Sequence, residues 1–492
     1  MVSQGFGRAV QSAIYGAGAL GRRPAVPTDH DRLETEARKA MSRRGFAYVA
    51  GSAGSEATAR ANVAAFDRWQ VVPRLLVDTT ERDTGVELFG RRHESPFLVA
   101  PVGVLSAAHA DADLAVARGA REQRVTQVIS TQACAPMERI AEELGGSGHW
   151  FQLYWSSDDD LAASLVARAE ACGSEALVVT LDTAYLGWRP RDLDLGHLPF
   201  ARGEGIAQYT SDPVFRARVA AKVAARSTET APWRTSSRAT GPSPAATAPR
   251  RTSSHGAGGP GAPGGSGTPA ARPRPTPAAL STLLALSRNH PGRTRANLTD
   301  PAPRAAVETF LEVFSRPALT WDDLPRLRQM TSLPIVLKGI LHPDDARRAV
   351  DAGVDGVYVS NHGGRQVDRS VAALDALPGV VEAVRGAGSA APIIFDSGIR
   401  CGADAFVALA LGASAVGIGR PHVYGLAVAG AAGVSEVLRN LRAELDLEMA
   451  LTGCTSLADL TPDRLLHTAP VRTDHTRSAP AHTRPTHPGD HP

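Results

Sequence analysis

Eleven polar residues close a series of short apolar runs, and their types suit acid–base and anion-binding work: Gln152, Tyr154, Thr180, Asp182, Lys338, Ser360, His362, Arg365, Asp396, Arg400 and Arg420. Any one alone is uninformative, because an isolated histidine or arginine is more often structural than catalytic. Together they describe a site. His362, in the stretch SNHGGRQVD (Ser360–Asp368), is the natural general base, and Gly363 and Gly364 let its loop fold back towards Arg365. Asp182 is placed to orient an imidazole. Arg189, in GWRPRDLD, pairs with Arg365 as two planar forks for one carboxylate; by itself it would read as a solvated loop charge. Lys338 lies inside the strand-like PIVLKGI, in a chain whose only other lysines are Lys39 and Lys222. An inward lysine there is costly unless paired. Two roles stay open for it: a point charge against a developing anion, or a Schiff-base nucleophile. The plain alternative is an outward lysine snorkelling between strand and helix. DSGIR (Asp396–Arg400) and GIGRP (Gly417–Pro421) are glycine turns with arginines, the make-up of a phosphate cradle, although either alone would merely close a turn.

Positioning these groups requires a regular scaffold. Eight short, nearly continuous apolar runs read as strands: 96–103, 126–131, 149–155, 176–183, 334–340, 356–361, 392–399 and 415–421. Helical patterns lie between them at 112–124, 136–144, 158–172, 342–352, 371–385 and 401–412. Asp158–Asp160 and His342–Asp345 supply caps, with Pro343 suited to a first turn. Strands buried on both faces and alternating with helices predict an α/β fold, a (β/α)8 TIM barrel. An open doubly wound sheet is less consistent, because no GxGxxG follows the first strand and polar residues end nearly every strand. Residues 1–95 form an N-terminal helical cap in this reading, and 96–468 the barrel. Between Ala224 and Ala279 there is no Leu, Ile, Val, Phe or Met, so 224–279 is expected to be a disordered insert after the fourth strand. The His-, Thr- and Pro-rich 469–492 is expected to be a disordered tail.

At ~150 residues per domain, 492 residues would suggest three domains, but a decorated barrel runs past ~250 residues as one unit. Lys+Arg less Asp+Glu is 53 − 50 = +3, which gives no field to recruit nucleic acid or an anionic membrane. No apolar run is long enough to span a bilayer, and the N-terminus makes a poor signal peptide, so a cytoplasmic protein is expected. Cys134, Cys172, Cys401 and Cys454 form no CxxC, and they are expected to be small buried hydrophobes rather than metal ligands or disulfides.

The chain resembles the FMN-dependent α-hydroxy acid oxidising family over residues 30–215 and 303–460, with SNHGGRQ as the most specific element. GWRPRDLDLG, YTSDPVF, DDARRAVDAGVDG and FDSGIR look most like its lactate 2-monooxygenase branch. The resemblance implies FMN held by Pro101, Val102, Gly103, Ser130, Gln152, Thr180, Lys338, Ser360, Asp396, Ser397, Gly398, Arg400, Gly419 and Arg420. It implies Tyr48 and Tyr154 on the substrate, Arg189 and Arg365 on its carboxylate, His362 as the proton acceptor, and Lys338 beside the charge that builds on the flavin. It further implies a small L-2-hydroxy acid and O2 as reactants and a homo-oligomer, tetramer or octamer.

Gly103 stands where many members carry alanine, and a missing methyl is expected to leave room for a keto acid to remain and be decarboxylated. Early release would instead give an oxidase. Outside this class, a Schiff-base lyase using Lys338 and a non-catalytic phosphate-binding barrel are the competing readings. The insert sits in the connection that usually lies over the site, either as a tolerated excursion or as damage to a lid.

Overall fold

The computed structural model describes residues 5–229 and 276–468. Four helices lead the chain: α1 (Phe6–Ala19), α2 (His30–Ala40), α3 (Arg43–Ala50) and α4 (Ala57–Ala64). Asp29 and Ser42 cap α2 and α3 by accepting from the backbone N–H of Arg32 and Gly45. A hairpin of Val86–Leu88 and Arg91–His93 follows. Its Leu88 is buried among Leu98, Val128, Trp150, Val178, Val336, Tyr358 and Ile394, so the hairpin plugs one end of the barrel interior.

Eight parallel strands close that barrel: β1 (Phe97–Val99), β2 (Thr126–Ile129), β3 (His149–Leu153), β4 (Leu177–Thr180), β5 (Ile335–Ile340), β6 (Gly356–Val359), β7 (Ile393–Phe395) and β8 (Ala415–Ile418). Each pairs with its sequence neighbours, and β8 returns to β1 through Gly417 opposite Leu98. Every expected strand is present, trimmed to its apolar centre, because the polar residues beyond it leave the ladder to form the upper loops. Around the barrel lie α5 (Ala112–Glu122), α6 (Met137–Leu144), α7 (Asp159–Ala171), α8 (Pro213–Glu229), α9 (Pro277–Asn289), α10 (Ala302–Val313), α11 (Pro343–Asp351), α12 (Ala373–Gly386), α13 (Gly402–Ala410) and α14 (Arg420–Thr452). Asp158 caps α7 through the N–H groups of Asp160 and Leu161, and His342 Nδ1 caps α11 through that of Asp344, with Pro343 in its first turn.

Two expectations need correction. The stretch 224–279 is not irregular throughout: α8 continues to Glu229, and Thr276 caps α9, whose first turn begins at Pro277. Both ends are rich in good helix formers, which form helix without the aliphatic residues that mark burial. The remainder, 230–275, and the tail 469–492 lie outside the described residues. Of the four free cysteines only Cys454 is buried; Cys134, Cys172 and Cys401 are half-buried. Among the described residues no helix is long and apolar enough to cross a membrane, and no cluster of His, Cys, Asp and Glu could hold a metal.

Candidate active site

The ends of all the strands that carry the singled-out residues open on one cleft of about 980 Å³. Its lining includes Tyr48, Pro101, Val102, Gly103, Tyr154, Arg189, Lys338, His362, Arg365, Asp396, Ser397, Gly398, Arg400, Gly419 and Arg420. Tyr48 comes from α3, in the N-terminal cap, and closes the cleft from above.

His362 sits just past β6 with φ +58°, and its N–H donates to Ser360 Oγ at 3.0 Å. Its Nδ1 lies 3.0 Å from Asp182 Oδ1 beyond β4, which leaves Nε2 as the free ring nitrogen. Burial lowers the imidazole pKa, and Lys338 and Arg189 add to that effect against the pull of Asp182. The ring is therefore neutral at ordinary pH and able to accept a proton. Burial also pushes the Asp182 carboxyl up, but His362 and Lys338 outweigh it and hold Asp182 below the usual range. Ionised Asp182 thus fixes the tautomer with hydrogen on Nδ1.

Lys338 points inward from β5. Its Nζ donates to Ser360 Oγ at 2.7 Å, lies 3.2 Å from Asp396 Oδ2, and sits 5.1 Å above the Tyr358 ring. The outward, snorkelling placement is excluded. This ammonium is already ion-paired, which suits a fixed charge better than a free amine nucleophile.

Arg365 donates to the carbonyls of Tyr48 and Gly51, the latter at 2.9 Å, and stacks 5.0 Å from the Tyr48 ring. Arg189 donates through Nε to the Arg365 carbonyl (3.1 Å) and through one terminal nitrogen to Gln366 Oε1 (2.7 Å). It is only 8% exposed and meets no carboxylate. Burial and the charge of Arg365 bring its pKa down to about 10. A guanidinium held in this way awaits an anion. Burial raises the pKa of both Tyr48 and Tyr154, so both phenols stay protonated and able to donate.

Ser130, Gln152 and Thr180 do not line the cleft. They form a relay beneath it, with Ser130 Oγ donating to Gln152 Oε1 (3.3 Å) and Gln152 Nε2 to Thr180 Oγ1 (3.1 Å). Asp182 and Ser360 stand behind His362 and Lys338. Arg420, expected at the phosphate, lines the cleft and also serves Val49 O, Gly363 O, Gly51 O and Ser52 Oγ with its three guanidinium nitrogens, tying the cap to the β6 loop. The spacing had shown a charge beside a glycine, not the carbonyls of a distant helix end.

An anionic cofactor such as FMN fits these residues. Four arginines and Lys338 converge here, while Asp396 and Asp182 are already paired. A Cβ on Gly419 would touch nothing within 4 Å, so the turn before α14 is open, and α14 starts without a side-chain cap. Pro421 brings no N–H and that of His422 serves Gly419 O at 3.2 Å, so the room for phosphate oxygens is the open turn itself, beside the Arg400 guanidinium, which makes one hydrogen bond, to its neighbour Ile399 O. Sequence reasoning missed Gln132, Thr183, Leu186 and Phe200, which also line the cleft. Gln132 and Thr183 end strand runs and were legible by that sign; Leu186 and Phe200 come from the long connection, where no periodicity marks them.

Residues 37–467 match the FMN-dependent dehydrogenase family model. An FMN-dependent alpha-hydroxy acid dehydrogenase of Penicillium citrinum is 37% identical over 92% of this chain and 94% of its own. An L-lactate oxidase of Lysinibacillus sphaericus is 36% identical over 84% of this chain and 86% of its own. Among solved structures, a mandelate oxidase variant with (S)-mandelic acid superposes with a TM-score of 0.65 at 32% identity, covering 90% of this chain and 98% of that one.

Proposed function

The chain belongs to the FMN-dependent dehydrogenase family, and from that premise we propose that it oxidises a small, lactate-like L-2-hydroxy acid to the 2-keto acid with O2 as acceptor, and then decarboxylates it. The observation that carries this reading is one cleft holding a neutral His362 on Asp182 beside two guanidiniums, Arg189 and Arg365, that have no carboxylate of their own.

Arg189 and Arg365 take the substrate carboxylate, each with a terminal nitrogen to spare. Tyr48 and Tyr154 donate to substrate oxygens. His362 accepts one proton at Nε2, and Asp182 stabilises the imidazolium that results. Bound FMN supplies the two-electron acceptor. Its phosphate would be held by the Gly398–Arg400 turn and the open turn at Gly419, and Lys338, fixed by Ser360 and Asp396, would supply a positive charge where negative charge develops.

Oxidation passes two electrons to O2 and yields hydrogen peroxide. If the keto acid remains, peroxide adds at its carbonyl carbon, the O–O and C1–C2 bonds break, and carboxylic acid, CO2 and water leave. For lactate the balance is lactic acid plus O2 to acetic acid, CO2 and water. Support for retention comes from the resemblance to the monooxygenase branch and from the cover that Leu186 and Phe200 give the cleft. At Gly103 a Cβ would lie 2.7 Å from Gln132 Cβ, so the space of the missing methyl is filled by Gln132 rather than left open for the keto acid.

The test is a visible spectrum of the purified protein, followed without oxygen as L-lactate is added. Flavin bands that bleach support oxidation of the lactate class; a protein that neither carries nor takes up FMN overturns it. Air is then readmitted and products are assayed. Acetate supports decarboxylation, and pyruvate with stoichiometric peroxide overturns that part alone.

A further inference from the structure

We propose that Gln132 is the residue that holds the 2-keto acid in the cleft after oxidation, an inference that rests on the decarboxylating reading above. Gln132 follows β2, where its backbone is pinned from both sides: its N–H donates to Ser130 Oγ at 3.1 Å, and its carbonyl accepts from Val104 N at 2.9 Å. The side chain is 6% exposed and lines the cleft. Its amide nitrogen is buried and has no hydrogen-bond partner among the described residues. A buried donor of that kind costs stability until a ligand brings an acceptor.

Gly103 makes this placement possible. A Cβ at 103 would stand 2.7 Å from Gln132 Cβ and 3.2 Å from its Oε1, closer than side chains pack. The glycine therefore lets the side chain lie against the end of β1, on the lining of the same cleft as His362. The chemistry of the two ligands differs at that carbon. The hydroxy acid carries a hydroxyl that gives its proton to a base, whereas the keto acid carries a carbonyl that only accepts. An amide N–H is a donor with nothing else to serve, and it complements the product. Retention of the keto acid until peroxide forms follows from that added hydrogen bond, and Gly103 acts on the outcome through Gln132.

The experiment titrates pyruvate into the FMN-loaded wild-type, Gln132→Met and Gly103→Ala proteins, reading the change in flavin absorbance, and measures acetate against pyruvate in aerobic turnover with L-lactate. Methionine keeps length and removes the donor. Losing one hydrogen bond to a bound carbonyl is expected to weaken pyruvate about tenfold in Gln132→Met. The acetate share should fall with it, and Gly103→Ala should move both readouts in the same direction. Pyruvate affinity within twofold of wild type in Gln132→Met overturns the inference. A wild type that forms no acetate overturns the decarboxylating reading instead, and the pyruvate titration still decides whether Gln132 holds the keto acid.

Discussion

At the scale of single residues, the site depends on what each charge faces. Asp182 has His362 on one carboxylate oxygen, at 3.0 Å, and the imidazole of His362 is held neutral mainly by burial. Two consequences follow for pH. Because the imidazole pKa lies below its ordinary value of 6.5 and the neutral form is the proton acceptor, kcat/KM should fall as pH drops, with its midpoint below 6.5. Asp182 is the group that raises that pKa, so Asp182→Asn should move the midpoint further towards acid. The same change should lower the plateau about 10²- to 10⁴-fold, because the tautomer is no longer fixed and the imidazolium no longer stabilised. A pH–rate profile of both proteins checks this, and a midpoint that moves up in the variant would contradict the pairing. His362, Asp182, Arg365 and Lys338 were legible in the sequence because a polar residue ending an apolar strand has few structural uses. The hold of Arg420 on the cap was not, since those partners are carbonyls about 370 residues away.

At the scale of elements, the β6 loop is held by the cap, not by the barrel alone. Asn62 of α4 and Asn361 exchange side-chain hydrogen bonds of 2.8 and 2.7 Å, and Asn62 Oδ1 also accepts from Ala373 N at the start of α12. Asp368 accepts from the N–H groups of Ser55 and Ala57, which leads the chain into α4. The Ser55 hydroxyl, which also donates to it at 2.7 Å, lowers its carboxyl most, and with those N–H groups holds it well below the usual range. Asn62→Ala removes three buried hydrogen bonds, two to Asn361, which keeps Val371 O and Gly364 N, and one from Ala373 N, so it should cost about 2–3 kcal/mol and lower the melting temperature by a few degrees. Calorimetry beside turnover assays tests this; unchanged melting with lost activity would point to a direct chemical role for Asn62. The strands were readable because parallel strands are apolar on both faces, and α7 and α11 because their caps are local. The cap contacts are not local, and α14 escaped notice for another reason. Its 33 residues are broken by non-helical Ala429 and Gly430, and its glycines and alanines dilute any apolar stripe.

At the scale of the molecule, the first and last described segments are packed together, and this joint is where acid should act. Gly7 N–H and Arg82 both donate to Asp446 of α14, and Trp69–Val71 pairs antiparallel with Leu465–His467. His30 of α2 lies 5.9 Å from the Tyr424 ring of α14, with neither ring nitrogen hydrogen-bonded, and burial together with Arg400 brings its pKa down to about 3. His149 and His422 are likewise lowered to about 4 by burial. For a histidine depressed by folding, the unfolded chain takes the proton first, so stability is complete above 6.5 and declines as pH falls below it. Asp113 has the opposite sign: burial raises it to about 7, and its protonation favours the fold over part of the same range. The whole-protein slope therefore mixes both, and only a variant isolates one group. His30→Phe keeps a ring against Tyr424 and removes the titration, so between pH 7 and pH 5 it should lose about 2 kcal/mol less stability than the wild type. Denaturant unfolding at the two pH values measures the difference, and an equal loss in both proteins would mean that protonated His30 finds an acceptor in the folded state, such as Glu34, 3.8 Å from its Nε2.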